Sequence, residues 1–271
     1  MSAISFETLP PVLHDVIADV TPFFEQLDAG RFAVGLGGSL SKRMWDERSD
    51  IDFRLYHERP LPRPSAASST WRDYFIIVDR WAQHGVRLDG LWSRTIAEVD
   101  EKLNAWLNGD IEPEPILWTI WGYHILPDIS QQMAVLDSYG IISSWHERLT
   151  TYPDQLREAI LAKHLPSLRY WRGDYHYRHK VERRDAIFLA ALSSRLVHDI
   201  IQTLCAINRT PFPGDGNNLR VVESLPFRPE RFRERVTSVL YPAPGETMIG
   251  DQYETLLALI DDIEALVGIY H

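Results

Sequence analysis

The feature that most constrains the fold is a glycine turn that separates two short apolar segments within residues 33–53. Residues 33–36 are apolar and Gly37-Gly38 follow them, which is the pattern of a short buried strand that ends in a tight turn. Ser39 can cap a helix that begins near Leu40, and the free backbone N–H groups at a helix start suit an anionic phosphate. The sequence therefore predicts a strand, a phosphate-binding turn, a short helix and a second strand.

Two carboxylates stand on the predicted second strand, because Asp50 and Asp52 are two residues apart. Side chains alternate across a strand, so both carboxylates face one side while Ile51 and Phe53 face the core. Oxygen ligands on one face suit Mg²⁺, which proteins often hold with one or two carboxylates and substrate phosphates. The pattern predicts Asp50 and Asp52 as magnesium ligands in phosphoryl or nucleotidyl transfer. A Gly-Gly-Ser segment by itself is commonly an ordinary turn, and an Asp-x-Asp segment by itself is commonly a solvated strand end.

The segment Gly38-Ser39, followed by Ser49-Asp50-Ile51-Asp52, resembles the signature of the polymerase-beta-like nucleotidyltransferase superfamily. The chain looks most like the small bacterial branch that includes aminoglycoside and lincosamide nucleotidyltransferases and uncharacterised relatives with a helical C-terminal domain. The signature spans only residues 38–52 and does not specify a substrate. Where the superfamily usually has Arg-Gly after the serine, this chain has Lys42-Arg43, which keeps a positive charge and alters the turn.

The resemblance implies a nucleotide site, with ATP as the expected co-substrate and Mg²⁺ as the metal. Gly38 and Ser39 would bind the phosphates, and Lys42 would add a positive charge. Lys180 and Arg184 belong to a basic cluster that stands out in an acidic chain. At the mouth of a nucleotide site these two cations could neutralise triphosphate charge. A charge run of this kind is otherwise usually a solvated helix start.

A third carboxylate is also implied, because the superfamily has one on a strand beside the Asp-x-Asp strand. Asp89 is the best candidate, since it lies in a short alternating segment at residues 86–92 that predicts a strand. Asp89 would ligate the metal or take the proton of the attacking hydroxyl as general base. The alternatives are that Asp89 only forms a salt bridge, with Arg87 or another arginine, or that Asp79 takes its place from within a helical pattern.

Hydrophobic periodicity predicts the order of the elements. Helices are expected at 11–28, 70–83 and, after a capping box at Thr95–Glu98, to about residue 108. Residues 113–127 could form a last strand or a short buried helix, and Asp128 would start a helix that runs to Tyr139. After residue 141 only helical patterns follow, at 153–172, 181–208, 228–240 and 246–269.

These patterns predict an α/β (α+β) fold class with two domains. Residues 1–135 would form a mixed twisted sheet flanked by helices, and this nucleotidyltransferase domain would carry the catalytic site. Residues 136–271 would form an all-α helical bundle that covers the substrate or the nucleotide. The single cysteine, Cys205, lies in an apolar helical run and is predicted to be buried.

Charge and hydropathy limit the partners. The net charge is −10 and no basic stripe exists to neutralise a phosphate backbone, which argues against a nucleic-acid substrate. No run of about 18 apolar residues is present, so no membrane span is expected. Without an apparent signal peptide, the expected location is cytoplasmic, where ATP and Mg²⁺ are available.

The predicted reaction moves a nucleoside monophosphate, with AMP from ATP as the expected case, to a hydroxyl of a small molecule and releases pyrophosphate. One alternative is a protein-modifying nucleotidyltransferase of antitoxin type, in which the acceptor is a partner protein. Another is a non-catalytic nucleotide-binding or interaction protein that keeps the fold and not the chemistry. The sequence leaves the acceptor and the oligomeric state open.

Overall fold

The computed structural model describes residues 10–42, 44–114, 116–117, 119–123, 125–216, 218–245 and 247–270. Over these residues the protein is a mixed α/β protein with one small four-stranded sheet and many helices. Two compact units are present. The first comprises the described residues up to Asn104 and Asp128–Thr151, and the second comprises Ala105–Pro127 and the chain from Tyr152 onward. These units are bounded differently from the predicted domains, since 105–127 groups with the second unit and 136–151 with the first.

The elements before Tyr152 follow one another in this order: α1 (Pro11–Glu25), β1 (Phe32–Leu36), α2 (Gly38–Ser41), β2 (Phe53–His57), α3 (Arg72–Gln83), β3 (Trp92–Thr95), α4 (Ile96–Leu107), α5 (Ile125–Gln131), β4 (Met133–Leu136) and α6 (Ile141–Leu149). Only helices follow in the described chain, namely α7 (Asp154–Gly173), α8 (Tyr175–Glu182), α9 (Ala186–Ile207), α10 (Asn218–Ser224), α11 (Phe232–Leu240) and α12 (Met248–Tyr270).

The sheet has the strand order β3-β2-β1-β4. Strand β1 runs antiparallel to both β2 and β4, whereas β2 and β3 are parallel. The predicted first strand is confirmed, and Val34 and Leu36 in it are fully buried. Since Leu36 pairs with Phe53, the C-terminal end of β1 lies beside the N-terminal end of β2. This pairing brings the glycine turn next to the aspartates that precede β2.

The core of the first unit is formed by apolar faces of the helices and by the sheet. Helix α1 is amphipathic as predicted, and Val16, Val20 and Phe24 on its inner face are fully buried. The ring of Phe24 lies 5.9 Å from that of Phe53 and 6.0 Å from that of Tyr74, so α1 packs on both β2 and α3. The N-terminal end of β2, which follows Asp50 and Asp52, is therefore packed against aromatic side chains of the core.

Helix α9 is the centre of the second unit, where it packs against α7, α11 and α12. Cys205 on this helix is fully buried, as the sequence predicts. Among the described helices, α9 alone is long and apolar enough to cross a membrane, and 67% of its most apolar window is buried inside the protein. The central helix of a helical core also combines such a length with an apolar composition, so the position of α9 inside its unit accounts for its high hydropathy.

Several predicted elements differ from the observed ones. The strand predicted at 86–92 is wrong: only Leu88 forms an isolated bridge, with Ile51, and the regular strand β3 begins at Trp92. The helix predicted over 181–208 is confirmed as α9, which begins at Ala186; residues 181 and 182 end the unpredicted helix α8, and Arg184 in the turn between the two helices has a φ of +54°. The first helix ends at Glu25, five residues before Gly30.

The region between α4 and α6 was predicted least well. Its described residues from 113 to 123 form neither the strand nor the buried helix that was expected, and Leu117 and Ile120 are exposed. Asp128 lies inside the short helix α5 instead of starting a longer one, and β4 follows. Asp137 then accepts N–H bonds from residues 141–143 and so caps α6, which was not predicted.

Other helices agree with the sequence. The capping box is confirmed, since Glu98 Oε2 accepts the Thr95 backbone N–H at 2.8 Å and Thr95 Oγ1 accepts the Glu98 N–H at 3.2 Å. Helices α3, α7 and α12 lie where periodicity predicts them. The helix predicted at 228–240 is confirmed as α11, although it begins at Phe232, and α10 before it was missed. Positions 43, 124 and 246 lie outside the described residues.

Candidate active site

The glycine turn and Asp52 are in direct contact. Gly38 has a φ of +60°, and a Cβ built on it would lie 1.8 Å from Oδ2 of Asp52. The backbone N–H of Gly37 donates to the carbonyl oxygen of Asp52 at 2.9 Å. Only glycine fits at position 38, because both its backbone conformation and the adjacent carboxylate exclude a side chain. The two parts of the sequence motif, the glycine turn and the segment that carries Asp52, are therefore packed against each other.

Asp50 and Asp52 lie in an extended segment just before β2 rather than within the strand, which begins at Phe53. Ile51 between them is buried and forms a parallel bridge with Leu88. Residues paired in such a bridge point to the same side, and their neighbours point to the other. Asp50 and Asp52 consequently face away from the core, as the sequence predicts.

The same bridge positions Asp89. Its backbone N–H donates to the carbonyl of Ile51 at 3.0 Å, while the Ile51 N–H donates to the carbonyl of Arg87 at 2.8 Å. Asp89 thus directly follows the bridged Leu88 and lies on the same face as Asp50 and Asp52, with its side chain exposed. Arg87, considered as a salt-bridge partner, donates its guanidinium to the carbonyl of Arg48.

Burial and like charges raise the pKa of Asp52 to about 6. Burial is the largest cause, and the carboxylates of Asp50, Asp89 and Asp128 raise the pKa further, while Arg54 lowers it. A carboxylate whose charge is disfavoured by its surroundings is stabilised by a cation. The site therefore carries more negative charge than Arg54 neutralises.

Sequence reasoning missed Arg54 and Asp128. Arg54 Nε donates to Oδ2 of Asp128 at 2.7 Å, and its Nη atoms lie 3.5 Å from Oδ1 of Asp52. A Cβ on Gly37 would come within 2.7 Å of Oδ1 of Asp128, so this ion pair lies against the glycine turn. The sequence did contain a signal for Arg54, because Arg54 lies two residues after Asp52 and therefore continues the alternation that places Asp50 and Asp52 on one face. Asp128 is 74 residues distant and gives no local signal.

Ser39 does not cap the short helix that follows the turn. Helix α2 begins at Gly38, its N-cap is Gly37, and it has no side-chain cap. The hydroxyl oxygen of Ser39 is instead buried without a hydrogen-bond partner in the part of the chain that the structure describes. Such a group is costly unless a ligand satisfies it. Lys42 is half-buried at the C-terminal end of α2, and Arg43 lies outside the described residues.

The residues present fit a magnesium ion that is completed by a substrate. Among the described residues, no group of three or more His, Cys, Asp or Glu side chains is arranged to hold a metal by itself. Asp50 and Asp52 supply only oxygen ligands, and Mg²⁺ usually binds one or two carboxylates together with phosphates and water. The donor set and the excess of negative charge around Asp52 match that requirement.

Lys180 and Arg184 belong to the second unit. Lys180 Nζ forms an ion pair with Oδ2 of Asp185 at 2.7 Å, and Oδ1 of Asp185 accepts the N–H of Phe188 at 3.4 Å. Asp185 is thus the N-cap of α9, with Lys180 bound to it. Arg184 is exposed in the turn between α8 and α9. These contacts give the basic cluster a role at the helix start, and its predicted role in phosphate binding stays a prediction.

The second unit also buries an ionisable cluster. His164 Nδ1 lies 2.7 Å from Oδ1 of Asp199, and both side chains are less than a tenth exposed. The ring of His198 stacks on Trp121 at a centroid distance of 4.0 Å and lies 5.6 Å from the ring of His164. Burial, with smaller contributions from the positive charges of His164 and Lys163, lowers the pKa of His198 to about 3, and Asp199 opposes this shift. His198 is therefore uncharged in the folded protein at neutral pH.

This pKa predicts a loss of stability in acid. Below pH 6.5 the unfolded chain takes up a proton at position 198 and the folded protein does not, so the free energy of unfolding falls as pH decreases towards about 3. Between pH 7 and 4.5 the contribution of His198 should decline by about 2–3 kcal/mol. Urea unfolding at both pH values should show a correspondingly smaller decline for His198→Gln. His14→Gln, at an exposed histidine, controls for removal of a histidine as such. Equal declines in wild type and His198→Gln would contradict the prediction.

Only part of the chain matches a known protein family. A family model described as a domain of unknown function, DUF4037, matches residues 124–215. The matched segment contains Asp128 and the basic cluster around Lys180, but neither the glycine turn nor the aspartates at positions 50, 52 and 89. No curated protein matches the chain significantly. The matched family therefore assigns no chemistry to the glycine turn or to these aspartates.

Proposed function

We propose that this protein is a metal-dependent nucleotidyltransferase, which moves a nucleoside monophosphate, AMP from ATP in the expected case, to a hydroxyl of a small molecule. The observation that supports it most is the contact between the Asp52 carboxylate and Gly38, with Asp50 and Asp89 on the same face. A phosphate-binding turn beside a carboxylate pair is the combination that metal-assisted transfer at a phosphate requires. The proposal includes the nucleotidyltransferase fold for the N-terminal part and a helical bundle for the C-terminal part.

Asp50 and Asp52 would hold Mg²⁺, which when bound neutralises charge at the α-phosphate and on the leaving pyrophosphate. Gly38 contributes by leaving space, since a side chain there would displace Asp52 from the turn. The hydroxyl of Ser39, buried without a partner among the described residues, would donate to the β- or γ-phosphate. Lys42 would add a positive charge near the same phosphates.

Arg54 would act as a positioning residue. Its bond to Asp128 fixes the guanidinium, and the fixed guanidinium limits the orientations open to the Asp52 carboxylate 3.5 Å away. Arg54 also compensates part of the negative charge, which keeps Asp52 available in its charged form.

Asp89 would act on the acceptor. Its exposed carboxylate lies on the face that carries Asp50 and Asp52, so it can accept the proton of an attacking hydroxyl or complete the metal site. The acidic net charge favours a small acceptor over a nucleic acid, and a cytoplasmic location, away from membranes, would supply ATP and Mg²⁺.

Thermal unfolding with nucleotides tests the binding step. In the presence of Mg²⁺, ATP at 100 times its dissociation constant should stabilise the protein by about 2.7 kcal/mol, which raises the melting temperature by a few degrees. The shift should disappear when EDTA removes Mg²⁺, because the two aspartates then repel the triphosphate. Titrating ATP, GTP, CTP and UTP in parallel identifies the preferred base. The absence of a Mg²⁺-dependent shift with all four triphosphates would count against the proposal.

A further inference from the structure

Trp92, the first residue of β3, packs against the arginine of the candidate site. Arg54 and Trp92 are paired across the parallel strands β2 and β3, so their side chains lie on the same face of the sheet. The Cζ atom of Arg54 is 5.4 Å from the centroid of the Trp92 ring. A guanidinium within about 6 Å of an indole ring is attracted by the negative face of the ring. Trp92 therefore contacts the residue that pairs with Asp128 and Asp52.

Three neighbours border the guanidinium of Arg54. Asp128 accepts a bond from its Nε at 2.7 Å. A Cβ built on Gly37 would lie 3.1 Å from both Cζ and Nε of Arg54, so the glycine turn is the second neighbour. The ring of Trp92 is the third. On β1, the residue that pairs with Arg54 is Gly35, which has no side chain. Of the two residues that flank Arg54 in the sheet, Trp92 is thus the one that can restrain it.

Arg54 lies near Asp52 without a short bond to it. Both Nη atoms of Arg54 are 3.5 Å from Oδ1 of Asp52, whereas an N–H···O bond between charged groups is about 2.7–2.9 Å long. A divalent cation binds through the lone pairs of a carboxylate, and a short bond from a guanidinium would occupy them. The longer separation leaves the carboxylate of Asp52 open to a cation, while Arg54 still offsets part of the negative charge around it.

A second cation contacts the same ring. The Cζ atom of Arg94 is 4.4 Å from the centroid of Trp92, two residues before it on β3. Arg54 and Arg94 carry like charges, and the attraction of both to one aromatic ring offsets part of their repulsion. Without the ring, the guanidinium of Arg54 would be repelled by Arg94 and attracted by the carboxylate of Asp52. The loss of Trp92 therefore favours a movement of Arg54 towards Asp52.

We propose that Trp92 is a positioning residue of the candidate site: its ring holds the guanidinium of Arg54 on Asp128 and away from Asp52, which leaves Asp52 free to bind Mg²⁺. This inference rests on the proposed function, because that function assigns the metal to Asp52. In a variant without the ring, Arg54 forms a short bond to Asp52, and Mg²⁺ has to compete with it.

Nuclear magnetic resonance on the full chain without nucleotide tests the position of Arg54. In protein with ¹⁵N-labelled arginine, the Nε–H signal of Arg54 is identified by its absence in Arg54→Lys. This N–H bonds to Asp128 beside the ring, so its exchange with water should be at least about tenfold faster in Trp92→Leu than in wild type. Trp92→Phe keeps an aromatic ring and should stay within about twofold of wild type.

The matched control for the loss of an indole is Trp81→Leu. Trp81 is half-buried in the same unit, on α3, where its Nε1 donates to Asp19. This variant loses a comparable amount of packing, and the exchange rate of the Arg54 Nε–H should equal that of wild type. An unchanged rate in Trp92→Leu, or an equal increase in Trp81→Leu, overturns the inference.

Magnesium titrations separate this inference from the proposed function. In the thermal-unfolding assay with ATP, the Mg²⁺ concentration that gives half of the maximal shift should rise about five- to tenfold in Trp92→Leu. In an Arg54→Met background, Trp92→Leu should change it less than about twofold, because no guanidinium is left to compete. An equal rise in both backgrounds overturns the inference and leaves the proposed function standing. If wild type shows no Mg²⁺-dependent shift, the proposed function fails, and the exchange rate decides whether Trp92 holds Arg54.

Discussion

Replacing Asp50 or Asp52 with Asn is expected to lower the rate of nucleotidyl transfer at least about 1,000-fold, because a lost metal ligand removes several kcal/mol of charge stabilisation. The measurement is pyrophosphate release from Mg²⁺–ATP, supplied with a panel of hydroxyl-bearing small molecules. The Mg²⁺-dependent thermal shift with ATP should disappear in the same variants.

Both variants should remain folded. Asn keeps the shape of Asp, and at position 52 it removes a charge that burial and three neighbouring carboxylates disfavour. The melting temperature of Asp52→Asn without nucleotide should therefore equal or exceed that of wild type at neutral pH. Replacing a residue that function requires commonly increases stability while it lowers activity.

The matched control is Glu47→Gln. Glu47 is exposed in the segment between α2 and Asp50, so the substitution removes one negative charge from the same region without touching the carboxylate pair. Its transfer rate and nucleotide shift should match those of wild type. Transfer at the wild-type rate in Asp50→Asn would refute the proposed function. If Glu47→Gln lost as much transfer activity as Asp50→Asn, the loss would come from removing any negative charge in this region and not from removing a metal ligand.

The local part of the site was predictable from the sequence. Gly38 and Asp52 come together because β1 and β2 pair next to the turn, and strands that follow one another closely in the chain commonly pair. The alternation that puts Asp50 and Asp52 on one face needs only extended backbone, which they have even though the regular strand begins at Phe53. The resemblance pointed to Asp89 as a third carboxylate on a neighbouring strand; Asp89 does lie beside the Asp50–Asp52 segment, although the backbone there forms one isolated bridge and not a strand.

The remote part was not predictable. The Arg54–Asp128 ion pair depends on the position of α5, and the sequence signals around α5 are weak because prolines and apolar residues interrupt any period. The edge strand β4 has four residues, too few to show an alternation, and it was absorbed into a predicted helix. Contacts of this kind depend on tertiary packing, which overrides local propensity.

The largest structural effect is expected from Gly38→Ala. The added Cβ would lie 1.8 Å from Oδ2 and 2.6 Å from Cγ of Asp52, and the φ of +60° is unfavourable for alanine. The left-handed conformation costs about 1–2 kcal/mol, and relieving the overlap costs about 1–3 kcal/mol more. Urea unfolding should show a total loss of roughly 2–5 kcal/mol, and nucleotide binding should be lost because Asp52 must move.

Gly85→Ala separates the two causes of this loss, the left-handed backbone conformation and the overlap with Asp52. Gly85 has a φ of +76° and a Cβ there would have no atom within 4 Å, so only the conformational cost of about 1–2 kcal/mol applies. In an Asp52→Ala background, the cost of Gly38→Ala should fall towards the Gly85→Ala value, since the carboxylate that the methyl group meets is gone. The coupling in this double-mutant cycle should be at least about 1 kcal/mol. An equal cost of Gly38→Ala in both backgrounds would mean that the turn and the carboxylate are not in contact, and the proposed metal site would lose its main support.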